Sequence, residues 1–238
     1  MSFRFRQFQV EDSRSTMKVG TDAMLLGSWV RPVAASSILD LGTGCGVLAL
    51  MMAQVSDAKI DAIDIHRPSV EEADHNVLQS PWASRIHVIH RSLGEHARLA
   101  VHPYDIIISN PPFFINSLKP VSPGKLIAKH ECTLTFESLL EHSLSLMHAG
   151  SSLCLILPVN EGKLFTAMAS DKGLYPARTL TIKPSPSKHP HRILVEFRFK
   201  IPSEPFEDKL VILDHQNRFS EKYLSMTQNF HLFNQKNT

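Results

Sequence analysis

Three short segments of this sequence carry residue types at spacings that could do chemistry. The first is Asp40-Leu41-Gly42-Thr43-Gly44-Cys45-Gly46, which takes three of the ten glycines in the chain. Alternate glycines let the backbone turn tightly and let a ligand lie against the main chain beside helix amide donors. The spacing departs from the Gly-x-Gly-x-x-Gly of dinucleotide loops, and Asp40 would repel a pyrophosphate. A carboxylate there suits a ligand bearing an ammonium or sulfonium group. The second segment ends in Asp64, whose carboxylate can accept from both hydroxyls of a ribose.

The third is Ser109-Asn110-Pro111-Pro112-Phe113. Two consecutive prolines fix φ and remove two backbone donors, so this turn shows its neighbours carbonyls rather than N–H groups. Asn110 adds an amide oxygen, and Phe113 offers a ring on which a base stacks for roughly 1–3 kcal/mol. Two acceptors beside an aromatic face suit a planar amine gripped by its hydrogens. An exocyclic adenine nitrogen is a poor nucleophile because its lone pair is delocalised into the ring. Accepting both N–H bonds, from Asn110 and from the Pro111 carbonyl, favours charge building on nitrogen as a methyl group arrives. Read alone, the first segment is also a ligand-free strand-to-helix turn, and the third a Pro-stiffened strand end.

These residues need elements to hold them. Ser37 to Leu41, Lys59 to Ile65, Arg85 to Ile89 and Tyr104 to Ser109 read as strands. The last, with Ile106, Ile107 and Ile108 in a row, is apolar on both faces, as in the middle of a parallel sheet. Helical spacing appears from Thr21 to Pro32 (with Thr21 or Asp22 able to cap), at Val47 to Val55, at Ser69 to Gln79, near Phe136 to Met147, and near Glu161 to Ser170. Ser152 to Leu157 adds a strand. Arg178 to Lys183 and Arg192 to Lys200 read as an antiparallel hairpin, because the connector Pro184 to Pro190 is too short for a crossover helix. Phe3 to Val10 reads as one short strand that slips at Gln7-Phe8. Ser220 to Phe233 reads as a last helix or docked tail. Strands alternating with helices predict an α/β fold with a sheet wound on both faces.

Composition narrows the class. The 238 residues include 25 Lys+Arg and 23 Asp+Glu, a formal charge of +2, which excludes a histone-like polycation but not a local basic patch. Residues 172–200 hold seven Lys/Arg against one acid, Glu196, and residues 113–130 add Lys119, Lys125 and Lys129 with no acid. Such stretches offer sites to phosphates. The odd count of cysteines (Cys45, Cys132, Cys154) argues against a disulfide framework. With no long apolar run and no signal-like N-terminus, the expectation is a cytoplasmic protein that does not engage a membrane. Thirteen histidines occur without zinc-ligand spacing, and no Gly-x-Ser-x-Gly elbow appears, so no metal is expected.

The segment Leu39 to Gly46 together with Asp64 resembles the class I S-adenosylmethionine-dependent methyltransferases over residues 37–200. That resemblance implies a Rossmann-like, seven-stranded, mostly parallel sheet with a C-terminal antiparallel hairpin, and S-adenosylmethionine as methyl donor. The implied donor-binding residues are Asp40, Gly42, Thr43, Gly44, Gly46, Asp64 and Asn110. Ser92 stands where members often place an Asp against the adenine amine. Asn110-Pro111-Pro112-Phe113 is similar to the signature of amino-methyltransferases acting on adenine N6, guanine N2 or a glutamine amide, which implies catalytic roles for these four residues. Met17 to Asp22 resembles a segment that packs over the methionine end of the donor in bacterial tRNA adenine-N6 methyltransferases, implying Lys18, Thr21 and Asp22 there. With Ser80-Pro81-Trp82-Ala83, His191 to Phe197 and Ser220 to Leu232, the chain looks like the family that methylates adenosine 37 of tRNA-Val. The resemblance implies tRNA as partner, with Lys119, Lys125, Lys129, Lys188 and Arg192 as candidate RNA contacts. It also implies one catalytic domain spanning residues 1–238, with a core at 36–200, and no obligate protein partner. Guanine-N2 methylation of ribosomal RNA and glutamine methylation remain alternatives. So do, from other classes, a nicotinamide dehydrogenase and a catalytically silent RNA-binding module.

Overall fold

The aliphatic runs become strands because each must bury both faces. The structure, a computed structural model, describes residues 2–112 and 134–232. In chain order the core strands are β3 (Ser37–Leu41), β4 (Lys59–Asp64), β5 (Ile86–His90), β6 (Tyr104–Ser109), β7 (Met147–Pro158), β8 (Tyr175–Lys183), β9 (Arg192–Arg198) and β10 (Phe206–Val211). They form an eight-stranded sheet in the order β10-β8-β9-β7-β6-β3-β4-β5. Every pair is parallel except the two that β9 makes with β7 and β8. The hairpin is as expected, but one strand more than seven is present. β10 runs parallel to β8 from Phe206↔Arg178 to Val211↔Lys183. Its sequence, Phe-Glu-Asp-Lys-Leu-Val, hides it, since only Leu210 is fully buried.

Helices cover both faces. On one side lie α1 (Thr21–Trp29), α2 (Val47–Val55) and α3 (Arg67–Leu78), and on the other α4 (Leu93–Leu99), α5 (Phe136–Ser145) and α6 (Val159–Asp171); α7 (Glu221–Thr227) follows near the C-terminus. β6 shows the layering directly: Ile106 and Ile108 enter the apolar layer with Leu25, Leu50 and Met51, and Ile107 enters the layer with Leu139 and Phe165. Burying each such side chain contributes about 1.5–3 kcal/mol, which offsets the entropy of ordering this nearly pure aliphatic run.

Three local expectations need correction. The N-terminal stretch is a hairpin of β1 (Ser2–Arg4) and β2 (Gln9–Glu11), not one strand, because Phe5 and Phe8 turn inward and stack at 4.3 Å between ring centroids. α1 is capped by Gly20 with no side-chain cap bond, so neither Thr21 nor Asp22 performs that role. The helix near Phe136 stops at Ser145, and Met147 already belongs to β7.

One packing prediction arises here. Gly162 of α6 lies so close to β9 that a Cβ would collide with the Ile193 side chain. Isoleucine is stiff at χ1, so it yields poorly. Gly162→Ala is expected to destabilise the fold by about 1–3 kcal/mol, read as a lower urea midpoint. Adding Ile193→Ala should recover part of the loss, and simple additivity of the two would contradict the contact.

Candidate active site

Register places the three chemical segments side by side. Leu41 of β3 lies opposite Ile63 of β4 on one flank and Ser109 of β6 on the other. The next residues, Gly42, Asp64 and Asn110, therefore emerge together at the carboxyl edge of three adjacent strands. From β3 the chain winds outward through β4 and β5, then returns to β6 on the opposite flank. This is the topological switch point where open α/β sheets form their binding crevice.

The glycine loop turns as its composition requires. Gly42, Gly44 and Gly46 have φ of +71°, +57° and +83°, a region that side chains with a Cβ rarely adopt. The Gly42 and Thr43 amides both donate to the Ile63 carbonyl, at 2.9 and 3.0 Å, and Gly46 opens α2. Asp64 accepts from Gly44 N at 2.9 Å on Oδ2 and from His66 N at 2.8 Å on Oδ1. It stays half-buried, so each oxygen keeps a lone pair facing outward from these bonds.

Asp40 is fully buried. Its Oδ2 accepts from Thr43 Oγ1 at 2.5 Å and from Ala49 N at 3.0 Å, whereas Oδ1 has no hydrogen-bond partner among the described residues. Burial pushes its carboxyl up to about 7, against the opposing bonds from Thr43 and Ala49 and with help from the Asp64 charge. The folded chain therefore binds more protons than the unfolded chain between the ordinary carboxylate range and pH 7. The stability that this carboxyl contributes must then fall as pH rises through that window, by at most about 1.4 kcal/mol per unit. This loss lowers the melting temperature of the ligand-free chain between pH 5.5 and pH 8, against buried His96 and half-buried His231, whose imidazoles, lowered by burial, favour the fold as pH rises. Asp40→Asn should flatten that difference relative to wild type, a comparison in which the histidines cancel. Parallel pH profiles for the two chains would contradict it.

Asn110 ends β6. Ser109 Oγ donates to the Leu41 carbonyl at 2.7 Å and so pins the end of β6 to the glycine-loop strand. The Asn110 Oδ1 is buried and has no partner among the described residues. Pro111 is buried and Pro112 exposed. Phe113, Lys119, Lys125 and Lys129 lie outside the described residues.

Other expected contacts are spent elsewhere. The Lys18 ammonium donates to the backbone carbonyls of Asp12 and of Ser13, the latter at 3.1 Å. Asp22 receives Arg192 Nε at 2.8 Å, a pair that ties the start of β9 to the start of α1, with exposed Thr21 beside it. Ser92 caps α4 in a reciprocal box with Glu95, donating to its Oε2 at 2.6 Å. Among the basic residues of 172–200, Arg178 and Arg198 pair with the buried Glu196 at 2.8 and 2.6 Å, and Arg178 also lies over the Trp29 ring. Lys183 donates to the Pro186 carbonyl. β9 runs away from the carboxyl edge, so Arg198 and Lys200 stand at the far edge from Asn110. The connector 184–191 joins the ends of β8 and β9 at the near edge, with Lys188 and His189 exposed on it.

Sequence reasoning missed a clamp. Residues 11–20, starting at the last residue of β2, form a strap held by two buried side chains of α3. Glu72 accepts from Ser13 Oγ at 3.0 Å, Arg14 N at 2.8 Å and Ser15 N at 2.7 Å. Burial opposes its ionisation, but these donors outweigh it and hold the carboxyl below the usual range. Asn76 brackets Glu11, accepting from its N–H at 2.9 Å and donating to its carbonyl at 2.8 Å, and also donates to the Cys45 carbonyl at 2.9 Å. One side chain thereby fixes the strap against the glycine loop. The available signal was that Glu72 and Asn76, four apart, share the buried face of α3 with Ala73 and Val77.

A doubly wound sheet with this glycine crevice and an Asn-Pro-Pro strand end defines the methyltransferase class. The family model "Methyltransferase small domain" matches residues 13–134. The tRNA1(Val) (adenine(37)-N6)-methyltransferase of Parabacteroides distasonis is 36% identical over 230 residues, 97% of each chain. The protein of the same name from Tolumonas auensis is 37% identical over 233 residues, again 97% of each. The chain belongs to the tRNA1(Val) (adenine(37)-N6)-methyltransferase family. Among solved structures, a predicted O-methyltransferase from Agrobacterium tumefaciens superposes with a TM-score of 0.68 at 20% identity, over 88% of this chain and 96% of that one, a likeness of fold alone.

Proposed function

We propose that this protein transfers a methyl group from S-adenosylmethionine to the exocyclic N6 of an adenosine in tRNA, at position 37 of tRNA-Val. The observation that carries the reading is the Asn110 amide oxygen, buried at the crevice edge with no partner among the described residues. A buried acceptor left unmade costs about 1–3 kcal/mol, a cost recovered when an amine hydrogen reaches it. The names of the relatives support tRNA and adenine N6 over guanine N2.

The crevice fits the donor. Asp40 keeps one buried oxygen open and ionises readily once a cation approaches, and Asp64 presents acceptors suited to ribose hydroxyls beside Gly44. When bound, S-adenosylmethionine supplies an electrophilic methyl group on a sulfonium centre. Asn110 and the Pro111 carbonyl would hold the acceptor amine by its two hydrogens and orient its lone pair. Their dipoles, fixed before reaction, stabilise positive charge as it develops on nitrogen. No residue of the site need act as a nucleophile. Lys188 and the connector around it, at the same edge, would meet RNA phosphates, while Arg192 acts through its pair with Asp22. An adenosine in a single-stranded loop can be splayed into such an edge at modest cost.

Incubation with tritiated S-adenosylmethionine and undermodified total tRNA, followed by nucleoside analysis, tests the proposal. Label in N6-methyladenosine is expected. Label in a guanosine or in protein would overturn the assignment.

A further inference from the structure

Ser15 is 6% exposed, and its Oγ is a buried hydroxyl with no hydrogen-bond partner among the described residues. It lies 3.1 Å from the place a Cβ would occupy on Gly44, so it packs against the glycine loop where that residue has no side chain. It is held there: Ser15 N donates to Glu72 Oε2 at 2.7 Å, and the neighbouring Arg14 N and Ser13 Oγ donate to the same carboxylate. A polar group clamped in place yet left unsatisfied marks a position awaiting a ligand atom.

The chemistry of the crevice indicates which atom. Its acids, Asp40 and Asp64, serve cationic and hydroxyl groups, but neither can meet a carboxylate. The strap cation expected for that task, Lys18, is turned back onto the Asp12 and Ser13 carbonyls. The Ser15 hydroxyl is a donor on the same strap that faces the loop. Resting on the reading of this crevice as the donor site, we propose that Ser15 binds the methyl donor, donating a hydrogen bond to the carboxylate of its amino-acid moiety. Glu72 sets that hydroxyl in position, and Gly44 lacks a side chain partly to make room for it.

Calorimetry with two nucleosides separates this role from general support of the fold. S-adenosylhomocysteine retains the amino-acid carboxylate, and 5′-methylthioadenosine lacks the whole moiety. Ser15→Ala is expected to weaken S-adenosylhomocysteine about tenfold and leave 5′-methylthioadenosine unchanged. The ligand-free melting temperature should hold or rise, since a buried unsatisfied hydroxyl has been removed. Ser15→Cys, close in shape but a weak donor, should show the same selective loss. Equal affinity of wild type and Ser15→Ala for S-adenosylhomocysteine would overturn the assignment, and so would parallel loss of both nucleosides. A wild-type chain that binds neither would remove the donor site itself, and this role with it.

Discussion

Asn110→Ala is expected to lower the rate of methyl transfer about a thousandfold while changing S-adenosylhomocysteine affinity by less than about threefold. The split follows from where the amide oxygen stands. It is buried at the end of β6, without a partner among the described residues, and nothing in the glycine loop hydrogen-bonds to it. Its removal deletes an acceptor for the reacting amine and leaves the Asp40 and Asp64 contacts intact. The loss should therefore appear in kcat, as for an interaction made more strongly in the transition state than in the ground state. Asn110→Asp keeps an acceptor oxygen and should retain more activity than Ala, whereas Asn110→Leu, similar in size without the oxygen, should match Ala. Single-turnover transfer to undermodified tRNA reads the rate. Full activity in the Ala variant would eliminate the proposed grip on the amine.

Asp64→Ala is expected to weaken S-adenosylhomocysteine about a hundredfold, from the loss of charge-assisted bonds. Two effects add here. The carboxylate holds Gly44 N at 2.9 Å and His66 N at 2.8 Å, so its loss frees the loop that must be preorganised. It would also remove the acceptor for the ribose hydroxyls. Asp64→Asn separates them, because one amide oxygen can still hold Gly44 while its NH2 group cannot accept from a hydroxyl. The Asn variant should fall between wild type and Ala. Titration calorimetry measures all three, and an Ala variant within threefold of wild type would place the ribose elsewhere.

Much of the fold was legible because strands and helices obey local periodicity. Ser37–Leu41, Val47–Val55 and Tyr104–Ser109 were readable to the residue, each being a run in which most side chains are buried. β10 was not, because Leu210 alone buries fully and the charges around it read as loop. α4 was also missed: it is one short stretch of seven residues containing Gly94, and its Ser92-Glu95 box is its clearest signature. That same box shows why a hydroxyl at a plausible position is a weak guide, for a capping serine has its hydrogen bonds already made.

The sequence by itself determined which residues stand together at the candidate site. Three glycines ahead of α2, the acid at the end of β4 and the Asn-Pro-Pro turn after β6 are fixed by composition and by strand ends, and parallel register then aligns them. Only the tertiary structure decided how the surrounding charges are spent. Asp22 and Arg192 are 170 residues apart and yet paired, and Glu72 reaches back 57 residues to the amide of Ser15. A charged side chain takes the best partner within its reach once the chain has folded. Which partner is nearest depends on distances that no local pattern encodes.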